Sequence, residues 1–200
     1  MPGLSGLWSN PGGRFVDTAS YGIPSIETFN KVQNALENWK GGTGVWEEWQ
    51  DATDLARRSF AEIVGIGASS VTVGASASQL IGIIADSLSE GQVVVVPELE
   101  FTSNLFPWLV AQTRGIRVIP VALGDIVERV AEGCDLVATS AVQSSTGEVV
   151  DLAAISEAAQ SVGAMTVVDA TQAIGWLPIE AGQFDAVVCA AYKWLCTPRG

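Results

Sequence analysis

Residues 165–200, MTVVDATQAIGWLPIEAGQFDAVVCAAYKWLCTPRG, decide how the rest of the chain is interpreted. They contain two short apolar runs, 166–168 and 186–191, which are typical of strands buried on both faces of a parallel sheet. The first run ends on Asp169 and the second leads to Lys193. Because ligands bind at the carboxyl ends of strands in open α/β sheets, we expect this acid and this amine to face one crevice.

The two side chains suit different parts of one ligand. A lysine beside apolar Ala190, Ala191 and Trp194 is partly removed from water, which favours the neutral amine that forms a Schiff base. An ionised acid on the opposite side suits a pyridinium nitrogen, which needs a negative partner to stay protonated. The pair therefore indicates a site that grips opposite ends of one aromatic aldehyde.

The same stretch resembles the lysine region of the class V aminotransferases and cysteine desulfurases, which are fold type I enzymes that use pyridoxal 5'-phosphate (PLP). The resemblance is carried by three segments in the family's order: 168–175 (VDATQAIG), 191–195 (AYKWL) and 198–200 (PRG). It covers nearly the whole chain. It implies a three-layer α/β fold with a mostly parallel sheet, the large domain of a PLP-dependent transferase.

Composition narrows the classes of partner and of chemistry. The chain has 200 residues, of which 48% are hydrophobic, a size that suits one domain with a sizeable core. Its net charge of -12 and the lack of a basic run argue against nucleic acid and anionic membranes as partners. No apolar run is long enough to span a bilayer. We therefore expect a small-molecule partner, and the resemblance implies that it is an amino-acid substrate.

The sequence contains no histidine, which excludes a Ser-His-Asp triad, a histidine-bearing zinc site and a histidine base within these residues. Its three cysteines, Cys134, Cys189 and Cys196, show no metal-binding spacing, so we predict no metal site. An odd set of unpatterned thiols is typical of a reduced, cytoplasmic protein.

Periodicity divides the chain into three parts. Residues 1–24 read as an extended arm, and 25–64 as two helices, 25–40 and 45–64. In the second helix the candidate buried positions are Trp46, Trp49, Leu55, Phe60 and Ile63. Residues 65–200 alternate strands and helices, and the resemblance implies that they form the PLP-binding large domain, incomplete at its C-terminus. There the predicted strands are 70–73, 93–96, 117–121, 135–139, 166–168 and 186–190, and the predicted helices are 78–89, 103–114, 124–131 and 152–162.

In the resembling family, the PRG segment precedes an antiparallel strand that completes the sheet, and a small C-terminal domain follows. Neither is present in these residues, and the sheet would be left with unpaired strand edges. We expect the sequence to be a window on a longer protein, truncated before the small domain, or a partner to supply the missing part.

A turn of small residues, 73–79 (VGASASQ), joins a predicted strand to a predicted helix. Such a turn exposes backbone N–H groups at the positive end of the helix, which favours a phosphate. The resemblance implies that Ala75 and Ser76 hold the PLP phosphate. Serine is also a common helix N-cap, so Ser76 has a purely structural alternative.

Two more residues receive roles from the resemblance. Phe101 stands where the family has an aromatic residue, often histidine, that stacks on the PLP ring; packing in the core is the alternative. Ser144 matches a polar residue near the phenolic oxygen of the cofactor, and a role in the loop is its alternative.

The resemblance also implies that Asp169 and Gln172 bind the pyridine nitrogen and the phenolic oxygen, and that Lys193 forms the Schiff base. Once released, the Lys193 amine could move the substrate α-proton as acid and base. The chain departs from the desulfurases at Ala190 and Tyr192, where those enzymes often have Ser and His. The phosphate must then be held by Ser76, backbone amides, Tyr192 or a second subunit.

These features predict a PLP-dependent enzyme of the class V aminotransferase type that acts on an amino acid through Lys193. A cysteine desulfurase or C–S lyase, or an epimerase of the same fold, is the alternative within the family. A non-catalytic relative that binds a ligand is the alternative of another class. Neither Cys189 nor Cys196 matches the family's nucleophile position. Because family members commonly form dimers, we expect a homodimer.

Overall fold

In the computed structural model, which describes residues 6–8 and 14–199, the chain divides into two units. The first comprises Met1–Ile63, Gly67–Val73 and Ala191–Gly200, and the second comprises Val64–Ile66 and Gly74–Ala190. Parts of the predicted arm, residues 1–5 and 9–13, and the last residue of the PRG segment lie outside the described residues. The predicted domain boundaries stay a prediction.

The second unit is built on a five-stranded parallel sheet with the order β2-β1-β3-β4-β5. Its strands are β1 (Val93–Pro97), β2 (Arg117–Val121), β3 (Leu136–Ser140), β4 (Met165–Asp169) and β5 (Ala186–Val188). The order reverses between β1 and β3, which creates a topological switch point at the carboxyl ends of these two strands. The predicted mostly parallel α/β sheet is confirmed.

Helices cover both faces of this sheet. They are α3 (Ala77–Asp86), α4 (Thr102–Ala111), α5 (Ile126–Ala131) and α6 (Leu152–Val162). Val94 and Val96 of β1 pack with α3 and α4, whereas Val95 packs in a separate cluster with α5 and α6. This alternation follows from the two-residue period of a strand and explains why the run 93–96 is apolar throughout. The predicted three-layer architecture is confirmed.

The register of the strands aligns their carboxyl ends. Ser140 at the end of β3 pairs with Asp169 at the end of β4, and Asp169 pairs with Val188 at the end of β5. Side chains on and just after these residues therefore lie at one edge of the sheet, the edge at which parallel sheets bind ligands.

The predicted strand at 70–73 is wrong. A 3-10 turn covers Ala68–Ser70, and the residues after it pair with no strand among the described residues. The guanidinium of Arg57 donates from Nε to the Val71 carbonyl at 2.8 Å and from Nη2 to the Ala68 carbonyl at 3.1 Å. These carbonyls are thus satisfied by a side chain instead of a neighbouring strand.

The first unit contains α1 (Ile26–Gly41) and most of α2 (Trp46–Val64), as predicted. Ser25 caps α1 by accepting the Thr28 N–H at 3.1 Å, and Gly42 ends it in a left-handed conformation with φ of 68°.

The burial predicted for α2 is largely wrong. Among the predicted positions, Trp46, Trp49, Leu55 and Ile63 are exposed, and Phe60 is half-buried. The fully buried apolar residues are Ala61 and Val64. The buried stripe therefore runs along another side of the helix, because a period of 3.6 residues fits more than one stripe in a helix with many apolar residues.

Gly22 is where the N-terminal segment meets the turn that contains Lys193. Its N–H donates to the Tyr192 carbonyl at 2.9 Å. A Cβ at this position would collide with the Lys193 carbonyl oxygen and lie 3.0 Å from both Cα and Sγ of Cys196. Only glycine permits such a close approach of two backbones.

Candidate active site

Asp169 is a buried acid at the carboxyl end of β4, with 4% of its surface exposed. Its Oδ1 accepts the Thr171 N–H at 2.9 Å, and its Oδ2 accepts the Ser103 hydroxyl at 3.4 Å. A buried carboxylate is tolerated when such donors replace water, and here they also fix its orientation. The sequence analysis did not predict Ser103 or Thr171, although both are polar residues shortly after a strand.

Gln172 and Ser144, which were predicted to lie near the phenolic oxygen of the cofactor, are brought together. The Gln172 Nε2 donates to Ser144 Oγ at 3.3 Å, and both residues follow strands of the same sheet edge. The main-chain carbonyl of Gln172 also accepts the Trp176 indole N–H at 2.7 Å. The loops after β3 and β4 thus present an amide and a hydroxyl side by side, and their role toward a cofactor stays a prediction.

The small-residue turn precedes α3, as predicted, but without a strand before it. Ser76 is the N-cap of α3, and its Oγ accepts the Gln79 N–H at 3.2 Å. The Ala75 N–H donates to Gln79 Oε1 at 2.8 Å. The structural alternative for Ser76 is therefore confirmed. The turn still presents an exposed helix N-terminus, which suits an anion, and phosphate binding by Ala75 and Ser76 stays a prediction.

Glu100, for which no role was predicted, forms several hydrogen bonds at this edge. It is 7% exposed and follows β1. Its Oε1 accepts the Phe101 N–H at 2.8 Å and the Ser140 hydroxyl at 2.5 Å, and its Oε2 accepts the Ser140 N–H at 2.7 Å and the Gln143 Nε2 at 3.4 Å. One carboxylate therefore joins the loops after β1 and β3 at the switch point of the sheet.

Phe101 is the N-cap of α4 and lies beside this carboxylate, and the residue is 46% exposed. The alternative that Phe101 packs in the core is therefore wrong. An exposed aromatic ring on a backbone held by Glu100 is compatible with stacking on a flat ligand. That role stays a prediction.

Lys193 belongs to the first unit, in a turn whose backbone is closed by hydrogen bonds. The Cys196 N–H donates to the Lys193 carbonyl at 3.1 Å, and the Thr197 N–H donates to the Ala191 carbonyl at 3.2 Å. Lys193 is 7% exposed, in agreement with the predicted desolvation. The predicted strand up to 190 is too long, because β5 ends at Val188. That Lys193 and the acid of β4 face one crevice stays a prediction.

Tyr192, the residue predicted to help hold the phosphate, is flanked by two side chains of the same unit. Its ring centroid lies 6.0 Å from that of Tyr21, and the Arg199 guanidinium carbon lies 5.2 Å from the Tyr192 centroid. The Tyr192 ring therefore contacts the N-terminal segment and a cation at once. Phosphate binding by Tyr192 stays a prediction.

The cysteine thiols are not activated. Burial raises the pKa of Cys189 to about 12, and the charge of Asp169 adds to this shift. Burial also raises the pKa of Cys196. A reactive cysteine needs a lowered pKa, so neither thiol has the character of a nucleophile. Both residues are only partly buried, so the prediction that they are core thiols is wrong. Among the described residues, no group of three or more histidines, cysteines or acids could hold a metal ion.

The carboxyl edge of this parallel α/β sheet carries an oriented acid, an amide and an exposed aromatic ring, and this arrangement is compatible with a site for an aromatic cofactor. An acid, an amide and an aromatic ring are side chains compatible with PLP, and their individual roles toward that cofactor stay predictions. The family model for Aminotransferase class-V matches residues 26–200, and the chain belongs to this family. The predicted family is confirmed.

Two curated relatives illustrate the family. A probable cysteine desulfurase of Methanothermobacter thermautotrophicus is 32% identical over 141 residues, which cover 66% of this chain and 35% of the relative. An uncharacterised aminotransferase of Bacillus subtilis is 27% identical over 153 residues, which cover 73% of this chain and 41% of the relative. The chain thus spans well under half the length of these relatives.

Solved structures share the fold. A C-DES variant with glycine covalently linked to its PLP cofactor has a TM-score of 0.82 at 18% identity, covering 100% of this chain and 58% of that chain. The apo cysteine desulfurase of Thermococcus onnurineus has a TM-score of 0.77 at 18% identity, covering 91% of this chain and 50% of that chain.

We predict that Glu100→Ala lowers the free energy of unfolding by roughly 1–3 kcal/mol, because it leaves buried N–H and hydroxyl donors without an acceptor. Urea unfolding followed by circular dichroism measures this loss. Glu98→Ala is the matched control, since Glu98 lies two positions earlier and is exposed. Equal stability of the two variants would show that the Glu100 carboxylate does not hold this edge together.

Proposed function

We propose that this chain forms the cofactor-binding part of a PLP-dependent enzyme that acts at the α-carbon of an amino acid, with the cofactor held as a Schiff base on Lys193. The observation that carries the proposal is the Asp169 carboxylate, which is buried, oriented by two donors and located at the carboxyl end of β4. The family match supports the proposal. The domain prediction, a PLP-binding large domain over 65–200, is part of it.

Each residue has a defined task in this proposal. Asp169 would bind the ring nitrogen, Gln172 and Ser144 the phenolic oxygen, and Phe101 the face of the ring. When bound, PLP supplies an electron sink for charge that develops at the substrate α-carbon. An anionic Asp169 supports that chemistry by keeping the ring nitrogen protonated, and Lys193 Nζ takes and returns the α-proton.

The remaining contacts concern the phosphate. The N-terminus of α3, with Ser76, offers backbone donors at the positive end of a helix dipole. The Ala75 N–H donates to Gln79 Oε1 and would exchange this acceptor for the phosphate. Because Ala190 and Tyr192 stand where the desulfurases often have Ser and His, further contacts to the phosphate would come from Tyr192 or from a second subunit. We therefore include both in the proposed phosphate site.

Cleavage of a C–S bond is the reaction that we favour. Several relatives are described as probable cysteine desulfurases, and one solved neighbour is a cystine C–S lyase. Both chemistries begin with loss of the α-proton from a sulfur-containing amino acid. Amino transfer is the second candidate, because the family is named for it and a Bacillus subtilis relative is an uncharacterised aminotransferase.

We also propose that the protein acts in the cytoplasm as a homodimer. All three cysteines are free, which suits a reducing compartment. Phe29, Leu36 and Trp39 of α1 are exposed although apolar, and a second copy of the chain would cover them. No helix in the described part of the chain is long and apolar enough to cross a membrane.

The lysine assignment has a sharp test, because the chain contains three lysines. Borohydride reduction of the PLP-loaded protein should fix the cofactor on Lys193, as read by peptide mass spectrometry. Lys31 and Lys40 serve as internal controls, since both are exposed on α1 and paired with Glu27 and Glu37. Cofactor fixed on either control lysine, or a Lys193→Ala protein that is still labelled, would contradict the proposal.

The reaction is tested by product analysis. A lyase should release ammonia and a three-carbon keto acid, together with sulfide from cysteine or cysteine persulfide from cystine. A desulfurase should convert cysteine to alanine and pass the sulfur to an acceptor thiol, here an added dithiol, as a persulfide. Lys193→Ala should lower either rate by at least about 100-fold, the usual contribution of a general acid–base group. Keto-acid-dependent transfer of the amino group, without release of sulfur, would favour the aminotransferase instead.

A further inference from the structure

The pairing of β4 and β5 ends in an unusual way. The last backbone hydrogen bond runs from the Ala170 N–H to the Val188 carbonyl, at 2.7 Å. In a regular parallel ladder, the next N–H on the β5 side, that of Ala190, would donate to the Ala170 carbonyl. That carbonyl is already used by the turn after β4, where it accepts two N–H groups at 2.9 and 3.0 Å. The Ala190 N–H therefore needs another acceptor.

The Thr171 hydroxyl supplies this acceptor. Its Oγ1 accepts the Ala190 N–H at 2.9 Å, and the Thr171 N–H donates to Asp169 Oδ1 at 2.9 Å. One residue is thus bonded both to the buried acid and to the backbone segment that leads to Lys193, which follows Ala190 by three positions. The hydrogen bond to this side chain takes the place of the backbone hydrogen bond that the Ala190 N–H would form in a regular ladder.

We propose that Thr171 is a positioning residue of the active site. Its hydroxyl fixes the point at which the chain leaves the sheet toward Lys193, and its N–H fixes the carboxylate of Asp169. The inference rests on the proposed function, because it concerns the geometry of the two residues assigned to the cofactor. It predicts that losing the hydroxyl alone disturbs the attachment of the cofactor.

The chain offers a matched control at the other end of the same pair of strands. The Thr166 hydroxyl donates to Asp185 Oδ2 at 3.0 Å and accepts the Asp185 N–H at 3.1 Å. Thr166 is 5% exposed, and Asp185 directly precedes β5. Thr166→Val therefore removes a hydroxyl that ties β4 to the start of β5, at the amino end of the strands.

The first arm of the test needs no cofactor. Amide hydrogen exchange of Ala190, measured by NMR, should become up to about tenfold faster in Thr171→Val, which keeps the side-chain shape but removes the acceptor. Thr171→Ser should restore slow exchange, and Thr166→Val should leave the Ala190 amide unchanged. Exchange of Ala190 that is as slow in Thr171→Val as in the unaltered protein would overturn the inference.

The second arm uses the PLP-loaded protein. The pH midpoint of the cofactor's visible absorbance should shift by about half a unit in Thr171→Val, return in Thr171→Ser and stay unchanged in Thr166→Val, which loses only stability. An unshifted midpoint in Thr171→Val would overturn the inference. If the unaltered protein showed no visible absorbance from bound PLP, the proposed function would be contradicted instead. The hydrogen exchange of the Ala190 amide would still decide the role of Thr171.

Discussion

Two carboxylates, those of Glu100 and Asp169, are buried at the carboxyl edge of the parallel sheet. The loops around them supply the hydrogen-bond donors that replace water. Glu100 takes its donors from the loops after β1 and β3, and Asp169 takes its donors from α4 and from the turn after β4. Ser140 connects the two acids. Its N–H and hydroxyl donate to the Glu100 carboxylate, and Ser140 at the end of β3 pairs with Asp169 at the end of β4. A buried carboxylate that lost these donors would cost several kcal/mol, so the loops are held where the donors are needed.

This constraint connects fold to chemistry. The strand order reverses between β1 and β3, which separates the loops that leave these strands and opens a crevice at the edge. The Glu100 carboxylate bridges that point and holds the backbone of Phe101, whose ring remains exposed. On the other side of β3, the turn after β4 aims Asp169 and presents Gln172 beside Ser144. Preorganised groups of this kind are what a cofactor-dependent site requires of its protein.

Much of this could be predicted from sequence because the signals are local. The run 93–96 is a strand at the predicted position, since its apolar residues are buried by helices on both faces. The run 117–121 is also a strand as predicted, although it lies at the edge of the sheet and only Val118 is buried. The run at 70–73 has the same appearance and is not a strand, because pairing depends on a neighbour that a local pattern does not reveal. The role of Glu100 was missed for a related reason: its main donor, Ser140, is 40 positions away in sequence. The same holds for the hydroxyl of Thr171 and its partner Ala190.

The central claim is that the carboxylate at the end of β4 is the partner of the cofactor's ring nitrogen. It is tested most directly by nitrogen NMR of the protein loaded with PLP labelled at that nitrogen, in comparison with Asp169→Asn, which keeps the size of the side chain but removes its charge. We predict a protonated ring nitrogen in the unaltered protein and an unprotonated one in the variant. The same nitrogen chemical shift in both proteins would contradict the account.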